Sequence, residues 1–188
     1  MNKETEQLIE GCRKNKRSSQ LKLYQQHAKR LYMACFRIVC NPAEAEEAMQ
    51  DSFLKILTHL DQYHKEQSFE AWTQRIAIHT AIDYVRRQTP CWDELSEYLT
   101  EEEPDDIDEE EIQYNVSLIK ENIQKLPTGY RMILTLYLFE GYDMEEIATI
   151  LNIQPPSVRS QYLRAKRRLI DNIKRSTQKW INLRISLK

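Results

Sequence analysis

Glycine is scarce, with three residues in 188. Tight hairpin turns call for glycine, so a chain this poor in it is expected to be built of helices. No apolar run approaches the ~18 residues that a membrane-spanning helix needs. The opening stretch "MNKETEQLIEGCRKNKR" has no apolar signal-peptide core, and a soluble cytoplasmic protein without membrane insertion is the expectation. None of the four cysteines, Cys12, Cys35, Cys40 and Cys91, stands at C-x-x-C spacing. No nearby histidine completes a zinc set either, so neither a metal nor a cofactor is expected. Cys35 falls on an apolar helix face and reads as a buried free thiol, whereas Cys12 and Cys91 read as exposed. There is no glycine-rich phosphate loop and no triad cue, which argues against an enzyme.

What is present is charge, unevenly spread. The net charge of −2 conceals two basic stretches, 1–88 and 112–188. They flank "TPCWDELSEYLTEEEPDDIDEEE", residues 89–111, which holds no lysine or arginine. Two basic modules around an acidic connector point to a polyanionic partner. The connector should repel itself and stay extended. At its full reach of roughly 80 Å, it would span the ~70 Å of two duplex turns.

The apolar pattern is helical throughout. Leu21, Tyr24, Ala28, Leu31, Cys35 and Val39 recur at three and four and predict one face of a long helix. Pro42 ends it and opens the next helix. Ala45, Met49, Phe53, Ile56 and Leu60 form that helix's stripe. Ser68 is placed to cap a third helix, with Phe69, Trp72, Ile76, Ala81, Ile82 and Val85 facing inward and "DYVRRQ" as a basic tail. After the connector, Pro127 and Gly141 bracket a compact apolar helix, and Asp143 with Glu146 has capping-box spacing. At the end of the chain, Ile181, Leu183, Ile185 and Leu187 alternate as in a strand. A strand there would need another chain as its partner; a frayed helix end is the simpler reading. The expectation is an all-α protein with two small helical domains, 1–88 and 112–175, an acidic linker at 89–111 and a tail at 176–188.

"EEIATILNIQPPSVRSQYLRAKRRL" carries adjacent prolines inside a helical pattern. Proline in a helix interior removes a hydrogen bond and clashes with the preceding turn. At a helix start it loses little, because the first N–H groups lack internal partners. Val158, Tyr162, Ala165, Leu169 and Ile173 resume the period after Pro155 and Pro156, so the prolines begin a helix. Helix, short turn and basic helix make a helix-turn-helix. Ser157, Arg159, Ser160, Gln161 and Arg164 combine the hydroxyl, amide and guanidinium groups that read base edges. Arg167 and Arg168, further along, suit phosphates. An ordinary helical pair with a solvated charged face is the competing reading.

Three segments in order resemble the bacterial RNA polymerase sigma factors of the extracytoplasmic-function (ECF) group, over roughly residues 5–175. They are "LIEGCRKNKRSSQLKLYQQHAKRLYMACFRIVCNPAEAEEAMQDSFLKI", "FEAWTQRIAIHTAIDYVRRQ" and "LPTGYRMILTLYLFEGYDMEEIATILNI". The resemblance implies a specificity subunit, not an enzyme: one domain opens and reads the −10 promoter element and the other reads the −35 duplex. It implies core polymerase as partner, through the clamp helices of the largest subunit and the flap of the second, together with promoter DNA. An anti-sigma factor is a further possible partner. Glu47, Gln50, Asp51 and Phe53 match the segment that docks on the clamp, although Phe53 reads equally as core. Trp72, Arg75, His79, Asp83, Arg86 and Arg87 fall where the family handles the −10 strand; Trp72 reads more readily as core. Ser157, Arg159, Ser160, Gln161, Arg164, Arg167 and Arg168 fall on the −35 helix. His79 stands where many relatives have asparagine, Gln161 stands where arginine is common, and Pro155-Pro156 replaces a glycine-containing opening. The alternative is a helix-turn-helix regulator that binds duplex DNA without polymerase; it has no need of the first two segments.

Overall fold

The computed structural model describes residues 3–64, 66, 68–88 and 116–186, with side chains from residue 4 as far as 176. Among the described residues all regular structure is helical. The chain divides into two units, Met1–Pro90 and Cys91–Lys188. The acidic stretch 89–111, with Cys91, lies outside the described residues.

The first unit holds α1 (Lys3–Arg13), α2 (Arg17–Val39), α3 (Pro42–Thr58), a short 3-10 turn at Leu60–Gln62, and α4 (Phe69–Gln88). Helices α2, α3 and α4 pack on one another around Leu23, Leu31, Ile38, Ile56, Phe69, Ile78 and Ile82, all fully buried. Ala45 and Ala48, also fully buried, keep the α3 face narrow. The buried stripe of α2 runs through Leu23, His27, Leu31, Ala34, Cys35 and Ile38. It therefore differs from the predicted face at its start, where Leu21 is exposed. His27 occupies a core position and reads as polar in sequence, so the two four-residue steps from Leu23 through His27 to Leu31 are easily missed. Cys35 is buried as expected, its thiol donating weakly to the Ala77 carbonyl at 3.7 Å. Cys12 is also buried, against expectation, because α1 is a packed helix and not a loose end: Leu8, Ile9 and Cys12 share its inner face. Gly11 lies so close to Ser19 that an added Cβ would stand 2.1 Å from the serine hydroxyl.

Asn41 caps α3, its Oδ1 accepting from the Ala43 and Glu44 amides at 3.0 and 3.3 Å, with Pro42 in the first turn. Such a cap is worth about 0.5–2 kcal/mol against alanine. Ser68 Oγ accepts from the Ala71 amide at 3.5 Å at the start of α4.

His27 is a titratable group within this core. Its ring meets Phe69 edge-on at 5.4 Å. Burial lowers its pKa from the ordinary 6.5, Arg30 adds to the shift and Glu70 opposes it. A histidine whose folded pKa is lowered binds its proton more readily in the unfolded chain. Its stabilising effect is therefore complete above about pH 6.5 and falls away as the pH drops toward the lowered folded value. His79 is shifted the same way, so the wild-type slope is a composite. Denaturation of the wild type and of His27→Gln between pH 8 and pH 5, on the order of the histidine range, isolates the His27 share. The variant is expected to lose less stability across that range than the wild type; parallel curves would show that His27 is not responsible.

The second unit holds α5 (Val116–Gln124), α6 (Thr128–Leu138), α7 (Met144–Leu151) and α8 (Pro155–Ser186). Its core gathers Ile123, Leu126, Leu134, Ala165, Leu169 and Ile173. The capping box is formed: Glu146 N donates to Asp143 Oδ1 at 2.8 Å and Asp143 N to Glu146 Oε2 at 3.0 Å. Asn152 takes a left-handed conformation with φ 54 and ends α7, and Pro155 begins α8, as the proline argument requires. Asn122, buried between α5 and α8, donates to the Leu118 carbonyl at 2.9 Å and accepts from Ser176 Oγ at 3.4 Å. The backbone of α8 is helical as far as Ser186, which excludes a strand over 181–186. A helix retains its backbone hydrogen bonds without a second chain.

Candidate nucleic-acid interface

Helix α8 presents its first turns beyond the short turn after α7. Its inner side is Val158, Gln161, Ala165 and Leu169, all buried. Gln161 was expected among the base-reading residues, and its burial at 4% exposure removes it from that set. It lies three residues after Val158 and four before Ala165, the spacing of the core face. Of the other expected residues, Arg159, Arg167 and Arg168 are exposed, while Ser157, Ser160 and Arg164 are half-buried. Ser160 Oγ donates to the Ser157 carbonyl at 3.1 Å. Arg159 Nη2 donates to Glu145 Oε1 on α7 at 3.1 Å. Leu163, unnoticed in the sequence, is exposed. It follows Arg159 by four residues and precedes Arg167 by four, so an apolar group stands between two cations on one outward line. Its out-of-phase position relative to Val158, Ala165 and Leu169 was the available signal.

Helix α4 carries a second surface. Arg75, His79, Asp83 and Arg86 follow at spacings of four, four and three and lie along one side; the first three are exposed and Arg86 is half-buried. Arg86 Nη1 pairs with Asp83 at 3.7 Å. Arg87 donates to the Asp83 carbonyl at 3.3 Å and lies 5.9 Å over the Tyr84 ring. The His79 pKa is lowered, first by desolvation and then by Arg75, Arg86 and Lys55, with Asp83 opposing. The strip therefore sets two arginines and a carboxylate around an imidazole whose pKa is held below its ordinary value. Trp72 is half-buried, its ring 5.4 Å from Tyr63 and 5.8 Å from Phe69. That packing ties Trp72 to Tyr63 and Phe69 and leaves part of its ring exposed.

On α3, Glu47, Gln50 and Asp51 are exposed. Phe53 is not: it is 7% exposed and meets Tyr24 edge-on at 5.0 Å, which settles its two readings in favour of core. The exposed residue next to it is Leu54, at 62%. Leu54 stands three and four residues after Asp51 and Gln50 and seven after Glu47, on their face. Glu47 accepts from the Tyr84 hydroxyl at 2.6 Å and Lys55 donates to Thr80 at 3.0 Å, so α3 and α4 are tied together at two levels. Among the described residues no cluster of histidine, cysteine and carboxylate side chains could hold a metal ion, and no helix is long and apolar enough to cross a membrane.

Comparison with known proteins matches both units. Residues 23–90 match the model for Sigma-70 region 2, and residues 118–169 match that for Sigma-70, region 4. The RNA polymerase sigma-H factor of Pseudomonas aeruginosa is 32% identical over 144 residues, covering 69% of this chain and 73% of its own. The ECF RNA polymerase sigma factor SigW of Bacillus subtilis is 27% identical over 151 residues, 74% of this chain and 81% of its own. The ECF RNA polymerase sigma factor SigE of Mycolicibacterium smegmatis is 29% identical over 79% of this chain, which spans 59% of that relative's length. Among solved structures, the sigma factor RpoE of Bartonella quintana, in complex with the anti-sigma factor NepR, shares the fold with a TM-score of 0.54 at 18% identity, over 81% of this chain and 95% of its own.

Proposed function

The chain belongs to the ECF sigma factors, and from that premise we propose that its two units divide promoter recognition between them, within the boundaries 1–88, 89–111, 112–175 and 176–188. The observation that carries this reading is the order of the two matched regions, each with an outward cationic helix: α4 in the first, the start of α8 in the second. The strip Arg75, His79, Asp83, Arg86 and Arg87 handles the −10 strand. A cationic groove holds the backbone of single-stranded DNA, and the imidazole of His79 can hydrogen-bond to a base. Trp72 lies on the same side of α4, three residues before Arg75, and its half-exposed ring continues that strip. On α8, Arg159 reads a base, Ser157, Ser160 and Arg164 line the groove, and Arg167 and Arg168 hold phosphates. Leu163 adds an apolar surface that suits a thymine methyl. Core polymerase docks on Glu47, Gln50, Asp51 and Leu54 through its clamp helices, and its flap meets the second unit. The polymerase performs the chemistry; this chain is a DNA-binding initiation factor and not an enzyme, acting in the cytoplasm. An anti-sigma factor, such as the NepR bound to the Bartonella relative, is the partner proposed for its inactive state.

Reconstitution with core polymerase tests the reading: the chain should direct specific initiation from a selected promoter, whereas a polymerase-independent regulator would bind duplex without doing so. Across single-base −35 variants, Arg159→Ala should remove roughly 5- to 150-fold of discrimination at one or two positions, the range of an arginine–guanine contact. Arg167→Ala should weaken all sequences alike and reduce the salt slope by about one. Equal loss at every sequence for Arg159→Ala would make it a phosphate contact.

A further inference from the structure

The contact between Glu145 and Arg159 joins the two helices of the helix-turn-helix, at 3.1 Å. Glu145 lies in the first turn of α7, where acidic side chains commonly serve the helix start. The capping there is done by Asp143 and Glu146, and the Glu145 carbonyl accepts from Thr149 Oγ1 at 3.0 Å. Its carboxylate reaches across the turn to the first turns of α8. Both side chains are well exposed, 62% for Glu145 and 65% for Arg159. An exposed pair of this kind contributes little to folding, so a stability role does not account for it.

We propose that Glu145 is a positioning residue for −35 specificity: its carboxylate holds one nitrogen of the Arg159 guanidinium, so that the remaining donors are aimed at a guanine edge. The proposal rests on the reading of α8 as the −35 helix. A guanidinium carries five N–H donors in a rigid fork. The observed bond uses Nη2, which leaves enough donors for the O6 and N7 acceptors of one guanine. The same carboxylate repels phosphate, so a misplaced duplex is penalised while the correct one satisfies both partners. Approach of the groove also removes water from the pair and strengthens the attraction that fixes the arginine. Glu145 should therefore act with opposite signs on two quantities: it lowers general affinity and raises discrimination. A residue that merely supported the fold would lower both when replaced.

The test uses the full chain with core polymerase, on duplexes carrying every single-base change across the −35 element, at two salt concentrations. The proteins are wild type, Glu145→Gln, Arg159→Ala and the double variant, with thermal unfolding as a check on folding. Glu145→Gln is expected to bind all sequences more tightly, most at low salt. It should also lose about two- to tenfold of the preference at the position read by Arg159, the coupling of residues in contact. In the Arg159→Ala background the same change should still raise general affinity and leave the preference untouched. If Arg159→Ala relaxes one position while Glu145→Gln leaves the whole profile unchanged, the positioning role is overturned and the reading of α8 stands. If Arg159→Ala lowers every sequence equally, the assignment of Arg159 to a base falls, and the role of Glu145 falls with it.

Discussion

Phe69→Ala is expected to remove about 3–5 kcal/mol of stability from the first unit, the usual loss for a buried phenylalanine cut to alanine. Phe69 opens α4 and is fully buried. Its ring sits among His27 at 5.4 Å, Tyr63 at 5.1 Å and Trp72 at 5.8 Å, joining α2, the segment after the 3-10 turn and α4. Domains are stable by only about 5–15 kcal/mol, so the loss is a large share of the total. Phe69→Leu keeps most of the volume and should cost less than half as much, about 1.5 kcal/mol. Hydrogen exchange at α4 amides during urea titration measures the effect in the first unit. A loss below about 1 kcal/mol would mean that the neighbouring rings close the cavity. Binding to single-stranded −10 DNA should decline with the folded fraction, because Arg75, His79 and Arg86 take their places from α4.

Leu54→Asp should weaken binding to core polymerase by about 30-fold or more, the threshold of an interface hot spot, with thermal stability unchanged. At 62% exposure Leu54 adds little to the core, and surface substitutions usually stay within about 0.5 kcal/mol. An exposed leucine among Glu47, Gln50 and Asp51 has the form of an apolar centre within a polar rim. Asp51→Arg should act in the same direction through charge. Core affinity of the variants, measured beside their unfolding temperatures, decides the matter: native affinity in both would exclude this face of α3 from docking.

The local features were legible because their causes are local. Proline torsions placed the starts of α3 and α8. The spacing of Asp143 and Glu146 placed the capping box, and Asn152 ended α7 in the left-handed conformation open to it. Composition alone argued for helices, since three glycines supply few hairpin turns. Errors arose where a residue's side of a helix depends on what packs against it. Gln161 has the chemistry of a base reader but shares its face with Val158 and Ala165, and that face meets the core. Phe53 and Leu54 are adjacent and both apolar; the packing of α2 against α3 takes the first inward and leaves the second in water. His27 reads as polar and is buried, so the α2 stripe was displaced at its start.

The sequence by itself determined the all-α class, the order of the helices and the family, because period, torsion and motif spacing are properties of neighbouring residues. Only the tertiary structure decided which face of each helix is free. It buried Gln161, Phe53 and Cys12, exposed Leu54 and Leu163, and brought Glu145 to Arg159 across 14 residues of chain. The physical reason is that a helix specifies angular positions about its own axis, whereas access to water or to DNA is set by the elements that pack on it.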